Sequence, residues 1–117
     1  MSLDFELHGK GVCSECGQKV DDMIVFDANI THNLTTMAKQ AGIYYALWNP
    51  EKLKATKAKN IINILETGLK LLKEKPEHYK KFNSPNGWGT HEHFVPFVEK
   101  CLNACKEHPE ARIKTDT

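Results

Sequence analysis

The sequence predicts an α+β fold that is mainly helical, with a short N-terminal β segment carrying a Cys-x-x-Cys-Gly knuckle, about four helices and a C-terminal edge strand. Three observations predict it. Leu3, Phe5 and Leu7 alternate with Asp4, Glu6 and His8, the period of a half-buried strand. Ala58, Ile61, Ile62, Leu65, Leu69 and Leu72 recur at the spacing of a helix with one apolar face. Ala111-Arg112-Ile113-Lys114-Thr115 alternates again and returns as an edge strand beside the first.

The chain of 117 residues, 40% hydrophobic and 26% charged, fits one soluble domain able to bury a core. Within it, residues 1–28 read as the β and knuckle segment, 29–109 as a helical body, and 110–117 as a strand or tail. The formal net charge is +1 and Arg112 is the single arginine, which argues against nucleic acid or an anionic membrane as partner. No apolar run approaches the roughly 20 residues of a membrane span. The start Met1-Ser2-Leu3-Asp4-Phe5 lacks the basic residues and apolar stretch of a signal peptide, so a cytoplasmic location is expected. There the four cysteines would be thiols or metal ligands rather than disulfides.

After the first strand comes Gly9-Lys10-Gly11-Val12-Cys13-Ser14-Glu15-Cys16-Gly17, with Met23 to Phe26 as the returning strand. Cys13 and Cys16, followed directly by glycine, resemble the knuckle of zinc-ribbon and rubredoxin-like proteins. The spacing lets both thiolates face one ion, and the glycine permits the tight turn. Zn2+ is the cofactor this implies. One such motif supplies half of a tetrahedral shell. Cys101 and Cys105, His8, His91 and His93 are candidates for the remainder, as is the same pair from a second chain in a homodimer. A redox pair, an empty knuckle and plain turn residues are the alternatives. Gly17 and the strand-like flanks argue against a thioredoxin-type motif, which opens a helix.

The densest polar chemistry lies at Asp27, Asn29, Thr31, His32 and Asn33. Thr31 has the character of a helix N-cap, with Leu34, Met37, Ala38 and Ala41 forming the apolar face behind it and Gly42 the stop. Free N–H groups at such a start favour anions, although caps are far commoner than anion sites. Tyr44, Tyr45 and Trp48 follow, as core or as a pocket wall. The longest helix is expected over roughly residues 55–74, with Lys57, Lys59, Lys70 and Lys73 on a solvated face that glutamates interrupt. Pro76 ends it, and a short helical turn follows to Phe82. Asn83 to Thr90 is a turn-rich loop in which Trp88 stands between Gly87 and Gly89, suited to walling a ligand or plugging the core. The last helix is expected from about Glu92 or His93, with Pro96 in its first turn and Phe94, Phe97, Val98, Cys101, Leu102 and Cys105 on its apolar face.

Two strings together carry a resemblance. Asn29-Ile30-Thr31-His32-Asn33-Leu34 with Met37-Ala38, Gly42-Ile43-Tyr44 and Leu47-Trp48-Asn49-Pro50 is the first. Asn86-Gly87-Trp88-Gly89 with Phe94-Val95-Pro96, Ala104-Cys105 and Pro109 is the second. In this order, over roughly residues 27–115, they resemble small phage and bacterial proteins of unknown function. Those begin just before the first string, so the knuckle is an addition here. The resemblance implies a core position for Cys105 and brings no activity with it.

No catalytic motif is recognised, and Ser84 lies in no nucleophile elbow. The function expected is binding of a small polar or anionic ligand between the Thr31 helix start (Asn29, Thr31, His32, Asn33) and the loop of Asn86 and Trp88. If chemistry occurs there, His32 is the acid or base and Asp27 its orienter. The alternative is a zinc-stapled interaction or regulatory module, dimeric through Cys13 and Cys16.

Overall fold

Alternation over Leu3, Phe5 and Leu7 puts all three side chains, fully buried, on one face of β1 (Ser2–Val12). The computed structural model describes residues 2–12, 17, 19–83, 85, 87 and 89–116, with backbone alone at 11–12 and 19–22. β1 is the middle strand of a three-stranded antiparallel sheet. β2 (Lys19–Thr31) lies on one side and β3 (Arg112–Asp116) on the other. Helices cover the inner face. The outer face carries Asp4, Glu6 and His8, with Asn29 donating across the strands to Asp4 at 2.6 Å and His8 Nε2 lying 2.9 Å from Glu6.

The fold-class expectation requires correction. The architecture is α+β, but the β part is not a short N-terminal segment. β1 and β2 have 11 and 13 residues and form a long antiparallel hairpin from Ser2↔Thr31 to Val12↔Lys19, with register shifts between Leu7 and His8 and between Gly9 and Gly11. Five α-helices stand among the described residues where about four were expected. Cys13, Ser14, Glu15, Cys16 and Gln18, on which the knuckle was read, lie outside the described residues. β3 pairs with β1 only from Asp4 to His8. The hairpin carries three further pairs beyond that point, along a molecule 48 Å long and 26 by 23 Å across.

The chain leaves β2 through a single 3-10 turn, His32–Leu34, into α1 (Thr35–Gln40) and then α2 (Tyr44–Trp48). Gly42 adopts φ +79° beyond the end of α1, a conformation open to glycine at little cost. The helix expected over 55–74 is regular only as α3 (Ile62–Glu74). The preceding backbone is committed elsewhere. The N–H groups of Ala58 and Lys59 donate to the carbonyls of Ala111 and Pro109, and that of Ile113 to Thr56. Lys57 and Lys59, expected on a solvated face, both bond Glu110, at 2.9 and 3.0 Å, and hold its carboxyl below the usual range. α4 (Pro76–Lys80) is one short turn, and α5 (His91–Glu107) packs along α3.

α3 reaches its neighbours at Gly68. A Cβ there would overlap the Cγ2 methyl of buried Ile43 and stand 3.1 Å from the carbonyl oxygen of Ala41. Alanine is the better helix former by about 1 kcal/mol, yet overpacking a closed site costs about 1–3 kcal/mol. Gly68→Ala is therefore expected to lower stability in urea unfolding; a midpoint equal to or above wild type would contradict the close approach.

Candidate functional site

The end of β2, the turn after it, the end of α2, the 87–90 loop and one face of α5 enclose a cleft of about 1480 Å³. Asn29, Ile30, Thr31, His32 and Asn33 line one side, and Gly87 and Gly89 another. Of the residues singled out in the sequence, Asn29, Thr31, His32 and Asn33 are thus brought together. Asn86 and Trp88 lie outside the described residues, as do Cys13 and Cys16, but the glycines flanking Trp88 belong to the cleft. Gly89 brings the loop in. Its φ is +106°, and a Cβ there would stand 3.0 Å from both Asn33 Cβ and Thr31 Cγ2 and 3.3 Å from Leu34 Cγ. The conformation favours glycine, and a side chain there would also push its neighbours by a few tenths of an ångström.

Each polar side chain has a particular commitment. Thr31 Oγ1 accepts from the Asn33 N–H at 3.3 Å, a cap on the 3-10 turn. The helix expected from Thr31 to Gly42 is that turn followed by the six residues of α1. So short a run has little macrodipole, and its start is no anion site by itself, contrary to the expectation from the sequence. The Asn29 amide donates to Asp4 Oδ1 and to Ser2 Oγ at 3.0 Å, which uses its N–H groups within the hairpin.

His32 is held by Trp48, not by Asp27. The Trp48 Nε1–H donates to His32 Nδ1 at 2.8 Å. Asp27 is exposed on the sheet opposite Glu6, so its assignment as orienter is corrected. Sequence reasoning left Trp48 as core or wall, and it is both. It is only 6% exposed, its ring stacks on Tyr44 at 5.8 Å and 13°, and it lines the cleft. Asn49 and, on α5, Lys100 are site residues the sequence did not reveal, and His93, expected only as a metal ligand, lines the cleft beside Lys100. The signal for Lys100 was the spacing of His93, Pro96, Phe97 and Lys100, which fall on one helix face.

The candidate metal ligands separate. The helix starts at His91, so His91 and His93 diverge. His93 faces the cleft, its Nδ1 3.0 Å from Thr90 Oγ1. His91 is buried, and its Nε2 donates to the carbonyl of Leu72 at 2.7 Å. That carbonyl would otherwise accept from residue 76, and Pro76 has no N–H. Cys101 and Cys105 are fully buried in the face of α5 that meets the core. Burial pushes the Cys105 thiol up to about 12. The Cys101 thiol is raised too, by burial first and by the neighbouring Cys105 second. Neither is poised as a thiolate ligand. Among the described residues no group of three His, Cys, Asp or Glu is arranged for a metal, and no helix is long and apolar enough to cross a membrane.

No family model, curated protein or solved structure matches this chain. The resemblance drawn from the two strings has no support from those comparisons.

His91 gives the site's frame a direct test. Replacing it with leucine leaves the buried Leu72 carbonyl unsatisfied, a loss of about 1–3 kcal/mol. In urea unfolding His91→Leu should shift the midpoint down, and His91→Gln, which can still donate, should recover part of it. Equal midpoints for all three proteins would contradict the role given to this histidine.

Proposed function

We propose that the protein binds a small polar or anionic ligand in the cleft between the 31–34 turn and the 87–90 loop. The observation that supports this reading is the convergence of the polar string at residues 29–33 with Gly87 and Gly89, some fifty residues later in sequence, on one concave site. Apolar and aromatic walls with a few convergent polar groups are the usual make-up of small-molecule sites. Tyr44, Trp48 and Phe97 supply the walls here, and His32, Asn49, His93 and Lys100 the polar groups. No reaction is proposed. NMR titration of labelled protein with phosphate, acetate, succinate, glycerol and ribose tests the reading. At least one should give saturable shifts centred on residues 29–35, 87–93 and the Trp48 indole, weakened in Lys100→Ala. Shifts scattered over the surface, or none, would remove the reading.

A second reading is a zinc-stapled interaction module in a cytoplasmic setting. What favours it is the extension of the hairpin past β3 together with the burial of Cys101 and Cys105 in the helical core. With those two cysteines committed to the core, a second chain is the natural source of ligands to complete a shell begun by Cys13 and Cys16. Under this reading untagged protein carries half a zinc per chain and has the mass of a dimer, and Cys13→Ser loses both. One zinc per monomer would contradict the shared site, and the absence of metal would remove the staple.

A further inference from the structure

We propose that the cleft selects an anionic group, a carboxylate or a phosphate, and that His32 serves it as a fixed hydrogen-bond donor, with Trp48 as the residue that positions it. This rests on the cleft being a ligand site and narrows what it takes.

The indole of Trp48 fixes the direction of its hydrogen bond to His32. Its Nε1–H donates and has no lone pair to accept with. At 2.8 Å from it, His32 Nδ1 must be the acceptor. The neutral imidazole then carries its proton on Nε2, the other nitrogen of a ring that lines the cleft. His32 makes no further hydrogen bond among the described residues, so this donor is unspent. A carboxylate orienter would do the reverse: it would accept from Nδ1–H and leave a lone pair on Nε2, making a base or a metal ligand. Trp48 therefore takes the neutral ring out of both roles and turns it into a donor.

The remaining lining agrees in sign. The cleft holds Lys100 and His93 and, among its described lining residues, no aspartate or glutamate. Lys73 and Lys106 are paired with Glu99 and Glu66, at 3.2 and 3.0 Å, whereas Lys100 has no ion pair among the described residues. With Nδ1 of His93 turned to Thr90, its Nε2 is the nitrogen left for a ligand, and the Asn49 amide makes no side-chain hydrogen bond among the described residues. An ammonium and the His32 N–H, with no carboxylate among the described lining, favour negative oxygens over cations.

The test compares inorganic phosphate, acetate and neutral acetamide in NMR titrations, with nitrogen-15 spectra reporting the His32 tautomer. At a pH where the ring is neutral, His32 should be protonated on Nε2 alone. At least one anion should bind at the cleft roughly tenfold or more tightly than acetamide. Trp48→Phe keeps an aromatic ring in place but removes the donor. It should lose the single tautomer and weaken the anion roughly tenfold. His32→Gln can accept from Trp48 and still donate, and should stay within a few-fold of wild type, while His32→Leu should not. Acetamide binding as tightly as the anions would overturn the proposal and leave the ligand site standing. A neutral His32 protonated on Nδ1, or a Trp48→Phe variant unchanged in tautomer and affinity, would overturn it without any reference to the ligand site. Failure of every probe to bind would bring down the ligand site and the proposal together.

Discussion

The cleft depends on one close approach, the backbone of Gly89 against the side chains of Thr31, Asn33 and Leu34. Glycine suits the position best: the conformation is left-handed and a methyl would crowd two neighbours at 3.0 Å. The contact joins the end of β2 to the segment that starts α5, more than fifty residues later. With the loop seated there, α5 begins at His91, which turns inward, and His93 falls on the cleft side. Tyr44 and Trp48 complete the same wall from α2. The site is thus a junction between segments rather than a property of any one of them.

Two prolines shape that junction in different ways. Pro76 leaves the Leu72 carbonyl without a helical donor, and His91 fills the vacancy from the next helix, so the missing bond becomes a tie between α3 and α5. Pro96 stands inside α5, beyond the first turn in which prolines sit easily. It leaves the Glu92 carbonyl without a donor, but both residues are exposed and water can reach it. Pro96 also lines the cleft. A broken local rule on the wall of a candidate site is where a functional constraint most often outweighs helix stability.

Much of this was readable from periodicity, because burial on one face leaves a pattern. Leu3, Phe5 and Leu7 show the inner face of β1, and Leu65, Leu69 and Leu72 the inner face of α3. What periodicity does not carry is pairing between distant segments. The backbone of residues 56–59 is drawn from helix into bonds with residues 109–113, which no local pattern announces. The long returning strand was likewise underestimated, since Asp27 and Asn29 read as part of a polar cluster at a helix start, whereas they pair with Glu6 and Asp4. At the site, residues 29–33 and the glycines of the second loop stood out as polar or turn-forming. The partner that decides what His32 can do was hidden, because Trp48 sits in an aromatic run that reads as core. Asp27 was nearer in sequence and more plausible as an orienter, yet β geometry sends it to the outer face.

The central claim is that the 87–90 loop closes on the 31–34 turn, and nuclear Overhauser contacts between the Gly89 α-protons and the Thr31 methyl measure it directly. Strong contacts are predicted, alongside the cross-strand contacts of β1 and β2 that report the sheet. Sheet contacts present with no signal between Gly89 and Thr31 would show that the two segments do not meet, and the cleft built on them would not exist.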